Sequence, residues 1–540
     1  MVGVEAAIVG HRSGRPAAAR YRTGRTSDPA GAANMQCRVI SFSLGLLLSA
    51  AGVSASEPPV VETDAGSVRG VALKNGAAAF RGIPYAVAPV GELRWRPTRP
   101  QAAWQGVREA SAFGPDCPQP VRDGRQAHPQ SEDCLSLNVV TPDLGASGLP
   151  VLVSIHGGAF FVGSGRDLAD QDVSTIVREG VVLVSPNYRL GRLGFFAHPE
   201  LTQEARGRGE DFANYWLMDQ IAALHWVRRN IHRFGGDPER VTILGCSAGG
   251  SSINALMAAE DARGLFAGAS ARSGGGFFNA TRPLAVAEEQ GARFAGTGGA
   301  SRSLATLRAL SADEILALES GPPDFGAVVD GRLLAEPTSQ AFTGGRIAKV
   351  PYLVGSTSDE ASVFGLMGFD RKVLAERFGI DLDALGDAYA GTQQLDEAEL
   401  LRQVQTDFIF TSAALGMGRL ASSSGAPSWA YHFDYVRRSQ AAASKGAAHC
   451  ADMPYSFGTL DDPEAEDAEI ARMMQAYLLS FIRNGSPGTE GLPAWPEIGE
   501  PGHAPLVIGE RTRAEPGFRQ EQLATWFERW ERENGSTFPR

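Results

Sequence analysis

Two short segments of this 540-residue chain hold residue types that together can support acyl transfer. Gly245-Cys246-Ser247-Ala248-Gly249-Gly250 sets a serine among small residues, with a strand-like run at 240–244 before it and a helix-compatible run at 251–259 after it. In that setting G-x-S-x-G forms an elbow. The turn admits only very small residues two positions either side of the serine, and the Oγ is thrust out above a sheet. The helix that follows directs its positive end toward a developing oxyanion. Without the flanking strand and helix the same five residues read as an ordinary Gly-rich turn. The second segment, His156-Gly157-Gly158-Ala159-Phe160, follows an apolar run directly and can offer backbone N–H donors to a tetrahedral intermediate.

These segments need a sheet to hold them. Residues 150–155 and 181–185 are short, β-branched and almost wholly apolar, as expected of parallel strands covered by helices on both faces. An amphipathic pattern over 219–234 predicts a helix, and the strand at 240–244 follows at once. Strand and helix alternate in this way in an α/β fold. Residues 57–100 alternate Val-rich runs with Gly and Pro and read as small strands and turns. The stretches 285–345 and 370–425 are helical in character and are expected to form a cap or regulatory lobe, not separate domains.

Composition narrows the partners. Fifty Lys and Arg against 61 Asp and Glu give a net charge of −11, with 43% apolar residues. That excludes a largely disordered chain and argues against nucleic acid as the main partner. The five cysteines include no C-x-x-C pair and no zinc-spaced cluster with His, so no metal and no cofactor is expected. Residues 35–55, with one Arg, a short apolar core and small residues before Ser56, read as a secretory signal peptide. The basic stretch 1–34 reads either as a mis-called start or as a long n-region. Cleavage after Ala55 would leave 56–540 as one domain of net charge −15 carrying four cysteines, in the periplasm or outside the cell. No later segment has the length of continuous apolar residues that a span requires, so no stable membrane association is expected.

Taken together, Phe80-Arg81-Gly82-Ile83-Pro84-Tyr85, Glu132-Asp133-Cys134-Leu135-Ser136-Leu137-Asn138, Asn187-Tyr188-Arg189, Phe234-Gly235-Gly236-Asp237-Pro238, the His-Gly-Gly loop and the elbow resemble the type-B carboxylesterases. The resemblance implies an α/β-hydrolase fold and a small-molecule ester as substrate. It also implies oxyanion donors at the N–H groups of Gly158, Ala159 and Ala248. The family acid corresponds to Glu360 in Asp359-Glu360-Ala361, and the family base to His449. The chain order Ser247, Glu360, His449 is the hydrolase order of nucleophile, acid and base. A catalytically silent, cholinesterase-like binding module would be expected to lack one of the three.

The chain departs from the family on both sides of this set. Cys246 precedes the serine where the family has glutamate, and Cys450 follows the histidine where it has Gly or Ala. Two such substitutions beside residues that must meet suggest a Cys246–Cys450 bridge; the alternative is two buried thiols packed as small apolar side chains. Cys117 and Cys134 match the family's disulfide. Trp216 stands where the family often has glycine, and Arg272-Ser273-Gly274 replaces Gln-Ser-Gly. The Cys-Ser and His-Cys pairs resemble those of secreted bacterial esterases that release tricarballylate from a long-chain amino-polyol. They also occur in esterases of feruloyl and phenolic esters. An acidic acyl group would need local cations, and Arg166 and Arg272 are the candidates, although structural ion pairs are an equal reading of both.

Overall fold

In a computed structural model, the chain is described over residues 57–121, 128–169, 175–278, 281–299, 301–319, 325–366, 369–390, 395–499 and 504–539. The expected signal segment at 35–55 and the stretch 1–34 lie outside these residues. The described residues pack as a single compact unit. Its centre is an eleven-stranded sheet. The strands are β1 (Val71–Ala72), β2 (Ala78–Pro84), β3 (Ser136–Thr141), β4 (Leu149–Ile155), β5 (Val182–Pro186), β6 (Gly236–Cys246), β7 (Gly268–Arg272), β8 (Tyr352–Thr357), β9 (Ser428–Phe433), β10 (Leu506–Ile508) and β11 (Arg513–Ala514). They lie in the order β11-β10-β9-β8-β7-β6-β4-β5-β3-β2-β1. The run from β10 to β5 is parallel, and the outer pairings are antiparallel.

The apolar runs are continuous because each central strand serves two cores. Val151, Val153 and Ile155 of β4 join one cluster, and Leu152 joins another. The same alternation divides Val182 and Val184 from Leu183, and Ile243 from Leu244. Helices α1 (Tyr215–Asn230) and α2 (Ala248–Ala258) pack against β6. Helices α3 (Glu397–Thr406) and α4 (Ser412–Ser423) are joined through a π-helical turn at Asp407–Thr411, and α4 lies on β8 and β9. Helix α5 (Ala465–Asn484) packs on β4 and β6. Short helices occupy the region 285–345 expected to be helical in character, and Ala327–Val329 within it pairs with Thr281–Pro283 just before it. Among the described residues no helix is long and apolar enough to cross a membrane.

Helix α1 starts four residues before the amphipathic pattern suggested. Its first turn, with Tyr215, Trp216 and Leu217, is buried on every side, so no polar face marks its beginning. It closes in a 3₁₀ turn, Ile231–Phe234, stopped by Gly235 at φ 86°.

Candidate active site

The sheet presents its parallel strands so that β4, β6 and β8 end beside the segments singled out by residue type. After β6, Ser247 takes φ 61° and ψ −126°, a conformation L-residues seldom adopt. Its N–H donates to the Arg272 carbonyl at 2.9 Å, and α2 begins at the next residue. The glycines around it leave no room for a side chain. A Cβ on Gly245 would lie 2.4 Å from the Gly249 carbonyl carbon, and one on Gly249 would lie 2.2 Å from the Ile155 oxygen. These contacts hold the elbow against the end of β4.

The loop after β4 is built as tightly. A Cβ on Gly157 would meet the Cys246 oxygen at 2.6 Å, and one on Gly158 (φ 108°) the Val162 oxygen at 2.0 Å. Ala159 and Phe160 follow with φ 52° and 64°. Two consecutive side-chain-bearing residues in the left-handed region cost about 1–3 kcal/mol each, and such strain persists only where surrounding packing imposes it. The N–H groups of Gly158 and Ala159 have no acceptor among the described residues. His156 starts the loop stacked on Tyr188 at 4.3 Å, and the Tyr188 hydroxyl donates to the His156 carbonyl at 2.8 Å. Burial holds the His156 imidazole below its ordinary pKa and so favours its neutral form.

Beyond β8 the means of support change from backbone to side chains. Glu360 is fully buried; one carboxylate oxygen accepts the Thr357 N–H at 2.7 Å, and the other accepts His449 Nδ1. His449 Nε2 is buried and makes no hydrogen bond among the described residues. The loops carrying the two residues are stitched together. Asp359 N–H donates to the Ala447 carbonyl at 2.8 Å, Ala447 N–H to Ser358 Oγ at 2.8 Å, and His449 N–H to Ser362 Oγ at 2.9 Å. Helix α3 braces the Glu360 loop from outside. Arg402 donates to the Ser358 carbonyl at 3.0 Å and to Asp359 at 3.1 Å, and Thr406 Oγ1 accepts the Ala361 N–H at 3.2 Å. From the π-helical turn Phe410 lays its ring 4.9 Å from that of His449. Ser358, Ser362, Arg402, Thr406 and Phe410 carry no sequence signal, because each acts through a partner more than 30 positions away.

A disulfide joins the two halves. Cys246 and Cys450 are bonded with Cα atoms 6.2 Å apart, which brings the serine elbow and the histidine loop together across 204 positions. Cys117 and Cys134 form a second bridge, with Cα atoms 5.0 Å apart.

Both candidate arginines are engaged by groups of the protein itself. Arg272, 2% exposed, gives its guanidinium to Asp452 at 3.1 Å and to Ser456 Oγ; Tyr431 donates to the same Asp452 oxygen at 2.6 Å. Arg166 lies over the Phe113 ring at 4.6 Å, donates to the Gly114 carbonyl at 3.0 Å and pairs with Asp116 at 3.5 Å. A guanidinium leaves water at high cost unless paired, and both residues meet that demand inside the protein.

A parallel sheet with helices on both faces, a strained serine elbow at a strand end and a histidine held by a buried glutamate define an α/β-hydrolase. The carboxylesterase family model matches residues 57–526, and the chain belongs to that family of ester hydrolases. Fumonisin B1 esterase of Sphingopyxis macrogoltabida is 33% identical over 522 residues, covering 90% of this chain and 93% of that protein. Phenmedipham hydrolase of Pseudarthrobacter oxydans is 35% identical over 505 residues, covering 84% and 95%. A solved carboxylesterase of Geobacillus stearothermophilus superposes with a TM-score of 0.76 at 32% identity, covering 86% of this chain and 99% of that one.

Proposed function

We propose that this hydrolase is a secreted serine carboxylesterase using Ser247 as nucleophile, His449 as base and Glu360 as acid. The observation that carries the reading is the His449 imidazole, bonded through Nδ1 to buried Glu360 with Nε2 left without a hydrogen-bond partner among the described residues. The Cys246–Cys450 bridge ties that imidazole's chain neighbour to the residue before Ser247. His449 Nε2 takes the Ser247 proton as Oγ attacks the ester carbonyl, and Glu360 orients the imidazole and stabilises its cationic form. The oxyanion is received by the N–H groups of Gly158, Ala159 and Ala248. His449 then returns the proton to the departing alcohol, and water releases the acid from the acyl-enzyme. The Ser247–His449 hydrogen bond is formed in the complex with substrate, since such bonds are often long in a free enzyme and tighten on binding.

Ser247→Ala is expected to lower kcat by about 10⁴-fold or more and to remove the burst of p-nitrophenol from a p-nitrophenyl ester, with the circular dichroism unchanged. Near-normal turnover in that variant would overturn the assignment. Export is supported by the two disulfides, which persist in oxidising compartments, and residues 56–540 would then form the mature hydrolase domain.

For the substrate we propose the tricarballylate esters of fumonisin B1, on the likeness to fumonisin B1 esterase. A second reading, a general or feruloyl/phenolic esterase, is favoured by the ion-paired state of Arg166 and Arg272 and by the comparable likeness to a phenmedipham hydrolase. Comparing kcat/KM for fumonisin B1, a feruloyl ester and a p-nitrophenyl ester separates the two. A preference for the first supports the tricarballylate reading, and a preference for either neutral ester supports the second.

A further inference from the structure

The oxyanion loop holds two side-chain-bearing residues, Ala159 and Phe160, in the left-handed region, and its backbone bonds alone do not explain how they stay there. Phe160 is the anchor. Its carbonyl accepts the Gly191 N–H at 2.8 Å, and its ring, 8% exposed, lies 5.1 Å from Trp216 and 4.9 Å from Phe195. Trp216 stacks on Phe195 at 5.1 Å with the planes only 12° apart, so the two form one slab behind the Phe160 ring. Trp216 is wholly buried, and its indole N–H has no acceptor among the described residues. A buried donor without a partner is unfavourable, so the residue's contribution here is its ring area, not its polar atom.

Trp216 belongs to the first turn of α1, and that helix is fixed from two sides. Asp219 takes Arg189 Nε at 2.8 Å and the Arg189 N–H at 3.0 Å. Gln220, one turn after Trp216, donates to Ser252 Oγ at 3.1 Å, and Ser252 donates to the Ala248 carbonyl at 2.9 Å. Helix α1 therefore reaches the loop of Gly158 and Ala159 through Trp216, and the residue after the serine through Gln220 and Ser252. The N–H groups at 158, 159 and 248 are thereby referenced to a single rigid element.

We propose that Trp216 is a positioning residue for oxyanion stabilisation: pressed against Phe160 from a clamped helix, it holds the strained turn so that the Gly158 and Ala159 N–H groups keep their aim. The inference rests on the oxyanion role given above to those groups. A displacement of the turn would weaken transition-state binding and spare ground-state binding.

The test uses Trp216→Leu, which fills much of the volume without a planar ring, and Trp216→Phe, which restores an aromatic face. Each is assayed for kcat and KM on a p-nitrophenyl ester, for melting temperature, and for inhibition by an aryl trifluoromethyl ketone. The ketone carbonyl accepts Ser247 Oγ to form a tetrahedral hemiketal oxyanion while His449 takes the serine proton. Trp216→Leu is expected to lower kcat and ketone affinity in parallel by about tenfold, with KM within about twofold, and Trp216→Phe to recover most of both. Equal kcat and ketone affinity in wild type and a folded Trp216→Leu, or a loss confined to melting temperature, would overturn the proposal. Failure of the underlying reading is seen separately, as wild-type enzyme that the ketone does not inhibit.

Discussion

The serine half and the histidine half of the site are held in place by different physics. Around Ser247 and the 156–160 loop the constraint is close packing, backbone against backbone where Gly245, Gly249 and Gly157 admit no side chain and ring against ring where Phe160 meets Trp216. Around Glu360 and His449 it is a mesh of side-chain hydrogen bonds and ion pairs that runs from Thr357 through Ser358, Ser362, Arg402 and Thr406. Packing of the first kind responds steeply to volume and hardly at all to pH. The second kind tolerates small changes of shape but contains groups that titrate. The Cys246–Cys450 bridge is the covalent point at which the two kinds of support meet.

The largest effect should come from cutting that point. Cys246→Ser with Cys450→Ser opens a closure of 204 positions, for which the chain-entropy relation gives a ceiling of about 5 kcal/mol. We expect a lower melting temperature together with a fall in kcat that exceeds any rise in KM, since the halves lose register while each keeps its own support. Unchanged kcat in the double variant would mean that sheet packing alone registers them.

Next comes a challenge to the backbone half. Gly249→Ala sets a methyl 2.2 Å from the Ile155 carbonyl oxygen, and relief requires parting α2 from β4. A loss of about 4 kcal/mol, at the severe end for a single substitution, is expected in denaturant titrations and should be the same at pH 5 and pH 7.5. A pH-dependent loss would show that this half is not held by packing alone.

The smallest effect belongs to pH and to the side-chain half. His432 on β9 meets Ser356 Oγ of β8 through Nδ1 at 3.0 Å, and burial pushes its imidazole down to about 3 from the ordinary 6.5. A base depressed in the folded state stays neutral there while the unfolded chain takes up a proton. Its contribution is therefore present above 6.5 and is lost as pH falls toward 3. At pH 5 the loss is about 2 kcal/mol, and His432→Gln should flatten the stability curve between pH 6.5 and 5. A curve of unchanged slope in the variant would remove His432 as the source.

The two halves were also unequally legible. The elbow and the 156–160 loop could be read from residue types because their constraint falls on single residues: a glycine is needed wherever the backbone of one segment touches that of another, and glycine is visible in a sequence. Glu360 and His449 were reached only through resemblance, since a lone Glu or His carries no local mark. Phe410, Thr406 and Arg402 escaped notice altogether, because a π-helical turn and a brace between loops arise from packing of distant segments. The start of α1 was missed for a related reason. Total burial of Trp216 and its neighbours erases the polar–apolar period by which a helix is recognised.

What the sequence determined by itself was the alternation of apolar strands and helices, the small residues of the elbow and the placement of cysteines beside the serine and the histidine. These are properties of chain-local sterics and of burial, which composition and period encode directly. Tertiary structure decided which charges were already spent. Arg166 and Arg272 have the sequence character of anion ligands, yet Asp116 and Asp452, 50 and 180 positions away, neutralise them. A buried charge takes whichever partner the fold brings within reach, and sequence distance carries no information about that choice.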